Sequence, residues 1–194
     1  GYLETEFDAL RADFSGRGKL FDEAIDAMRA TWRGEEHEGP AYGAAGHIAL
    51  PLPQTDGGPP IWIGGNSRAA RRRVIDKADG WMPIAQQAST AAITRTPPLE
   101  DIGALRTQIG ELNRFRASAG KPDVDVSFVP FEKEVLRRDG AAAFVAAVGP
   151  EPAAHEDAGV TWITIEPTSR SFTDFQTDLS VLSEGLVQRH AFPA

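Results

Sequence analysis

Pro59-Pro60-Ile61-Trp62-Ile63-Gly64-Gly65-Asn66-Ser67-Arg68, running on to Asp79-Gly80-Trp81, is the stretch that decides the fold. The paired prolines disfavour helix before Ile61, and Ile61, Trp62 and Ile63 are β-formers that spell a short buried strand. Gly64 and Gly65 remove every Cβ at the carboxyl end of that strand, so a ligand can approach the main chain there. Asn66 and Ser67 are both good N-caps for a helix over residues 69–78. A strand, a glycine turn and a helix start, in that order, present free N–H groups and the positive end of a helix dipole to an anion. Arg68, Arg71 and Arg72 stand close to the helix start, where cations oppose the dipole, and a bound anion would resolve the conflict. The competing reading is a tight strand–helix turn with solvated arginines. The pattern is neither G-x-G-x-x-G nor a Walker loop.

With 194 residues, 41% of them apolar, the chain can bury one substantial core. A formal charge of −8 argues against a nucleic-acid backbone as partner. Cysteine is absent, which excludes disulfides, thiolate metal sites and cysteine nucleophiles. No stretch approaches the roughly 20 apolar residues of a membrane helix, no secretory signal is visible, and a cytoplasmic location is expected. Gly1-Tyr2-Leu3-Glu4 opens without methionine in what reads as a loop, so the chain is read as a piece of something longer.

Upstream of the turn, Phe21, Ala24, Ile25, Met28 and Trp32 trace one apolar face of a helix over about 15–33. Residues 34–60 are Gly- and Pro-rich and read as a long loop insertion, expected to be mobile, with a short extended piece at His47-Ile48-Ala49-Leu50. Downstream, Gly80 to Ala85 reads as a strand, followed by a weak linker through Pro98. Ile102, Leu105, Ile109, Leu112 and Phe115 or Arg116 mark a helix stopped by Gly120-Lys121-Pro122. Val124 to Val129 is a strand, 141–148 an Ala-rich helix, Val160 to Ile165 the clearest strand, and 172–190 a last helix with Phe175, Leu179, Leu182 and Leu186 inward. Trp32 and Trp162 are expected to be buried.

Strict alternation of β and α without hairpin signals predicts parallel strands in one domain over 1–194. The short strands suit a (β/α)8 TIM barrel, of which four strands are half. Such a half leaves two sheet edges open, so the missing strands are expected from an N-terminal region or from another chain, with Ile61, Ile63, Val126 and Ile163 or Ile165 facing the shared core.

Among candidates for chemistry, His37, His47, His155 and His190 are too scattered for a metal site, and no metal is expected. Asp79 could orient a ligand, but capping the preceding helix or turning the chain is the plainer role. Glu166 follows the last strand, on the rim where barrel enzymes do chemistry, and reads as a polar rim residue unless it is an acid or base. Ser67 lacks the setting of a nucleophile elbow. No catalytic residue can be named. A binding turn with little acid–base machinery fits an enzyme whose cofactor performs the chemistry.

Several runs resemble the luciferase-like monooxygenase superfamily, in particular its branch of oxidoreductases dependent on the deazaflavin coenzyme F420. They are Glu6-Phe7-Asp8-Ala9-Leu10, Arg17 to Ala24, Leu50-Pro51-Leu52-Pro53, the block from Pro59 to Ser67, and Asp79-Gly80-Trp81-Met82-Pro83, with weaker matches at Ala119-Gly120-Lys121 and Ala158 to Thr161. The resemblance implies a TIM barrel in which this chain runs from the end of the fourth unit through the eighth. It also implies that Gly64, Gly65, Asn66, Ser67 and Arg68 bind the cofactor, the phosphate resting on main-chain N–H groups and the Ser67 hydroxyl. Gly1 and Tyr2 match the tail of the family's fourth-strand glycine segment, and Trp81 and Met82 would lie near the barrel mouth.

The implied activity is hydride transfer or monooxygenation of a small organic substrate, with coenzyme F420 favoured and FMN the alternative. A homo-oligomer is expected; nucleic acid and membrane partners are not. One competing class is a phosphate-binding barrel isomerase or lyase, which needs a reactive lysine or glutamate at a strand end. Lys19, Lys77, Lys121 and Lys133 all fall in helices or loops. The other is a non-catalytic truncated barrel acting as a partner subunit.

Overall fold

The computed structural model describes residues 3–43, 50–148 and 152–187. Four strands, β1 (Trp62–Gly64), β2 (Gly80–Met82), β3 (Asp125–Phe128) and β4 (Trp162–Ile163), form one sheet in the order β1-β2-β3-β4. Every pairing is parallel. Helices α1 (Glu4–Ala9) and α2 (Arg17–Trp32) precede the sheet, and α3 (Arg68–Asp76) joins β1 to β2. Then α4 (Ala88–Thr94) and α5 (Ile102–Ser118) lead to β3, α6 (Lys133–Asp139), α7 (Ala141–Val148) and α8 (Pro152–Asp157) lead to β4, and α9 (Phe172–Leu182) follows. The expected alternation is present. The linker before Pro98 holds α4, and α1, α6 and α8 are additional short helices with too few apolar positions to show a period.

Strand alternation sends successive side chains to opposite faces. Ile63, Trp81 and Val126 stand in register and are all buried. They share one cluster with Val74 of α3 and with Leu105, Ile109 and Leu112 of α5. Ile63 and Val126 were expected to face a barrel interior shared with other strands; they face the helix layer instead. Ile165 packs in a second cluster around Leu136, Phe144 and Leu182. The opposite face belongs to Trp62, Gly80, Asp125, Ser127 and Trp162.

On that face the Trp62 indole lies over Gly80, where an added Cβ would stand 2.6 Å from it. It meets Trp162 edge-on, with ring centroids 5.9 Å apart. Trp162 is nevertheless 59% exposed, against the expectation of burial, because its strand turns it away from the helix layer. Among the described residues neither β1 nor β4 has a further strand on its outer edge. Other apolar faces are also more open than their spacing implied. Phe21 and Met28 of α2 and Phe175 and Leu179 of α9 are exposed, leaving Ile25 and Ala30 of α2 and Leu182 of α9 buried.

The described flanks of the long loop are tied down. The Glu23 carboxylate accepts from the N–H groups of Ala41 and Tyr42. Arg29 donates to the carbonyl of Gly57 and to the Asp79 carboxylate, and Trp32, half-buried, fills the space beside Gly58. The extended piece expected at His47 to Ala49 lies outside the described residues. No described helix is long and apolar enough to cross a membrane.

One buried cation organises the end of α3. Arg116, only 3% exposed, donates to the carbonyls of Val74 (2.8 Å), Ala78 (2.9 Å) and Pro122 (2.8 Å). Lys121 adds a bond to the carbonyl of Ile75. Two positive charges thus meet the negative end of the helix dipole and satisfy carbonyls that the helix leaves without partners. Arg116→Met should keep the volume yet strand those carbonyls, lowering unfolding free energy by about 3 kcal/mol. Urea denaturation of both proteins checks this.

Candidate functional site

The carboxyl ends of the four parallel strands lie on one rim, and the turn from Gly64 to Ser67 is its best-defined part. The Gly65 N–H donates to the carbonyl of Met82 at 3.0 Å, and the Trp81 indole N–H donates to the carbonyl of Gly65 at 2.9 Å. Gly65 has φ +100°, in the region that favours glycine, so its lack of a side chain is required by the backbone. Gly64 differs. A Cβ there would approach nothing nearer than the Met82 carbonyl at 3.9 Å, so packing does not demand a glycine and the space before it is open.

Asn66 is fully buried. Its Oδ1 accepts from the Ile84 N–H, and its Nδ2 donates to the carbonyls of Ile84 and Pro97. The side chain is consumed in joining the turn to the segment after β2, and at 0% exposure Asn66 presents no group to a ligand. Ser67 caps α3, its Oγ accepting from the Ala70 N–H at 3.1 Å. That bond uses an oxygen lone pair and leaves the hydroxyl proton free to donate, so capping and anion binding are compatible. The N–H groups of Asn66, Ser67, Arg68 and Ala69 have no partner among the described residues.

Three of the four arginines of α3 go elsewhere. Arg68, Arg71 and Arg72 line a groove of about 380 Å³ between α3 and α5. Arg71 lies 3.6 Å from Glu111 and Arg72 lies 3.3 Å from Asp76. Carboxylates of the chain itself, rather than the turn, answer the two later cations, so the arginines do not require an anion at the turn. Arg68 opens α3 but turns its side chain into this groove.

On the other side of α3 a cavity of about 570 Å³ reaches the turn, lined by Gly64, Ser67, Arg17, Phe21, Tyr42 and Arg73 among others. Arg73 is held by Asp22 through two bonds and donates to the carbonyl of Gly18. Arg17 lies 3.5 Å over the Phe14 ring. Such a mixture of aromatic wall, guanidinium groups and hydroxyls is typical of small-molecule sites, and the volume falls in their range. Sequence reading did not pick out Arg17, Tyr42 or Arg73, because α2 and the turn are brought together only by folding.

Other candidates have structural roles. The Asp79 carboxylate accepts from the Ile61 N–H at 2.8 Å and from Arg29, fastening the entry of β1 to α2. Glu166 is exposed beyond β4. Lys77 is bonded to Asp26 and Lys121 to α3 carbonyls, so neither stands as a free amine at a strand end. No cluster of metal-ligating side chains occurs among the described residues. His47, His190, Gly1 and Tyr2 lie outside them.

His155 of α8 is buried against the Phe128 ring, centroids 6.0 Å apart. Neither of its ring nitrogens, nor Oε2 of Glu132, has a hydrogen-bond partner among the described residues. Burial pushes the imidazole below its ordinary 6.5, against a smaller upward pull from the Glu132 carboxylate. The unfolded chain takes up this proton near 6.5 and the folded state resists it, so the contribution is fully present above that value and is lost as pH falls. His155→Phe should flatten the decline of stability below that point, where one such group contributes a slope of at most about 1.4 kcal/mol per pH unit. Denaturation at a series of pH values measures the difference in slope.

Residues 1–143 match the profile of the luciferase-like monooxygenase family. The chain belongs to that family, and its parallel α/β sheet is of the TIM-barrel type. Uncharacterised proteins of Mycobacterium bovis and Mycobacterium tuberculosis are 30% identical over 137 residues, covering 70% of this chain and 40% of theirs. The chain therefore spans less than half the length of the curated relatives it matches. The crystal structure of DmoA from Hyphomicrobium sulfonivorans superposes with a TM-score of 0.49 at 16% identity, covering 95% of this chain and 45% of that one. The family assignment rests on the profile match.

Proposed function

We propose that this chain is the carboxyl-terminal portion of a flavin- or deazaflavin-dependent oxidoreductase, running from the end of the fourth barrel unit through the eighth. The turn at Gly64-Gly65-Asn66-Ser67 holds the cofactor phosphate. The observation that carries this reading is the row of unpartnered N–H groups from Ser67 to Ala69 beside a Cβ-free, open Gly64 and a Ser67 hydroxyl with its proton to spare. Family membership supplies the class of cofactor.

When bound, the ring system would supply the redox chemistry, a hydride transfer or an oxygenation of a small organic substrate. The residues of this chain do the rest. Main-chain N–H groups at the start of α3 and the Ser67 O–H would hold the phosphate with directed bonds that need no charged side chain. Phe21 and Tyr42 wall the adjoining cavity. Arg68 at the opening of α3 adds long-range attraction for the anion, its guanidinium standing in the neighbouring groove. Coenzyme F420 is favoured over FMN on the resemblance of the block from Pro59 to Pro83 to the deazaflavin branch. A homo-oligomer in the cytoplasm, without nucleic-acid or membrane partners, completes the proposal.

Gly64→Ala is the sharpest test, because the backbone tolerates it and only an approaching ligand would object. It should leave thermal stability nearly unchanged while weakening the cofactor by at least about tenfold, or 1.4 kcal/mol. Ser67→Ala should lower stability by about 1 kcal/mol through loss of the cap and affinity by roughly tenfold through loss of the hydroxyl bond. Titration of each protein with coenzyme F420 and with FMN gives both the affinities and the cofactor preference. Unchanged affinity in the two variants would refute the anion turn.

A further inference from the structure

Charge in the cavity beside the turn is one-sided. Arg17 and Arg73 line it together with Phe7, Phe21, Tyr42 and Ser67, and no carboxylate belongs to its wall among the described residues. The whole chain carries a formal charge of −8, so a cationic cavity runs against its composition. Arg73 is neutralised where it stands, held by Asp22 through two bonds. Arg17 forms no ion pair among the described residues. Every carboxylate on α2 and in the loop before it has another partner. Asp13 accepts from the N–H groups of Ser15 and Gly16, and Glu23 from those of Ala41 and Tyr42. Asp22 holds Arg73, and Asp26 pairs with Lys77.

The free cation is nevertheless fixed in place. Its guanidinium lies 3.5 Å over the Phe14 ring, which meets Phe7 edge-on with centroids 5.2 Å apart. One N–H of the group donates to the Phe14 carbonyl, and its other donors have no partner among the described residues. An aromatic face and one carbonyl orient the fork without cancelling its charge. The position is also electrostatically poor for a cation. Arg17 is the first residue of α2, where the helix dipole is positive, and no acid stands in that first turn. A half-buried guanidinium with free, parallel N–H groups on a cavity wall matches an oxyanion, which it can bind through two bonds at once.

We propose that Arg17 is a binding residue of this cavity, pairing its guanidinium with an oxyanion of the ligand, a phosphate or a carboxylate. The ligand class is then an anion with an apolar or aromatic body, the body lying against Phe7, Phe21 and Tyr42. This rests on the reading above that the turn and the cavity form one ligand site. The phosphate of the cofactor and the carboxylate of an acidic substrate are the two sources of such a group. A purely structural Arg17 would only stack on Phe14 and close the loop before α2.

Arg17→Gln removes the charge, and Arg17→Lys keeps the charge but gives up the fork. Arg95→Gln is the control. Arg95 also stands over the Phe14 ring, 5.4 Å from its centroid, yet it is paired with Glu4 and does not line the cavity. Each protein is titrated by calorimetry with inorganic phosphate, benzoate, FMN, coenzyme F420 and riboflavin, which lacks the phosphate of FMN. Melting temperatures are read alongside.

Arg17→Gln should weaken phosphate or benzoate by about tenfold or more, and Arg17→Lys by about threefold or more, which keeps the test decisive if glutamine does not fold. Arg95→Gln should bind within about threefold of the parent. FMN weakened with riboflavin unchanged identifies the cofactor phosphate as the partner; benzoate weakened with FMN unchanged identifies an acidic substrate. Affinities indifferent to both Arg17 replacements, with or without a fall in melting temperature, would overturn the inference, and a parent that still binds FMN or coenzyme F420 would then leave the cofactor reading standing. An Arg95→Gln protein weakened as much as Arg17→Gln, or a parent that binds none of the anions, would overturn it as well. Phosphate held through Arg17 by a protein that binds neither FMN nor coenzyme F420 would support the oxyanion site and remove the cofactor reading.

Discussion

The arrangement of the rim depends on the buried amide of Asn66. One side chain joins the turn after β1 to the segment after β2, through donor and acceptor bonds to the same residue, Ile84, and a further bond to Pro97. These connections cross at least 18 residues of sequence. An amide in this position is committed by energetics, since leaving its donors or acceptor unmet in a dry interior costs about 1–3 kcal/mol each. With Asn66 and Trp81 both bonded inward, the main chain between them has few ways to lie.

Helix α3 shows how charge is divided between structure and function. Its carboxyl end is closed by Arg116 and Lys121, cations where the dipole is negative. Its amino end bears Arg68, Arg71 and Arg72, cations where the dipole is positive, and the carboxylates of Asp76 and Glu111 answer only two of them. The side-chain charges nevertheless lie in the groove toward α5, whereas the unpartnered N–H groups lie at the turn. On the proposed reading an anion at the turn would be bound by the backbone, with the arginines supplying a diffuse field.

The sheet separates the same two roles by face. The row of Ile63, Trp81 and Val126 packs against α3 and α5 and gives the sheet its rigidity. The other face carries Trp62 over Gly80 and the largely open Trp162. An indole needs a vacant Cβ beneath it to lie flat on a neighbouring strand, which ties Gly80 to Trp62 as firmly as Gly65 is tied to its backbone angle. Trp81 belongs to both roles, packing as a core residue while its N–H reaches the turn.

Local order was legible from the residues alone. The β-branched and aromatic run at Ile61 to Ile63, the glycines after it and the Ser67 cap specify strand, turn and helix through short-range sterics and hydrogen bonding. The spacing of Leu105, Ile109 and Leu112 likewise marks the inner face of α5, with the next position left between Phe115 and Arg116 until packing decides for Arg116. The αβ alternation follows from these units. What tertiary structure decided were the partners of polar groups and the directions of faces. Asn66 reads as a cap in sequence but is a clip across strands, Asp79 reads as a turn residue but fastens α2, and Arg71, Arg72 and Arg73 of α3 find their acids on another helix or a turn away. Ile63 and Val126 are apolar on any reading, yet only pairing register shows that they face helices and that Trp162 faces away from them. Short-range preferences act within a few residues, whereas the bonds that orient the site join residues tens of positions apart, which no local pattern records.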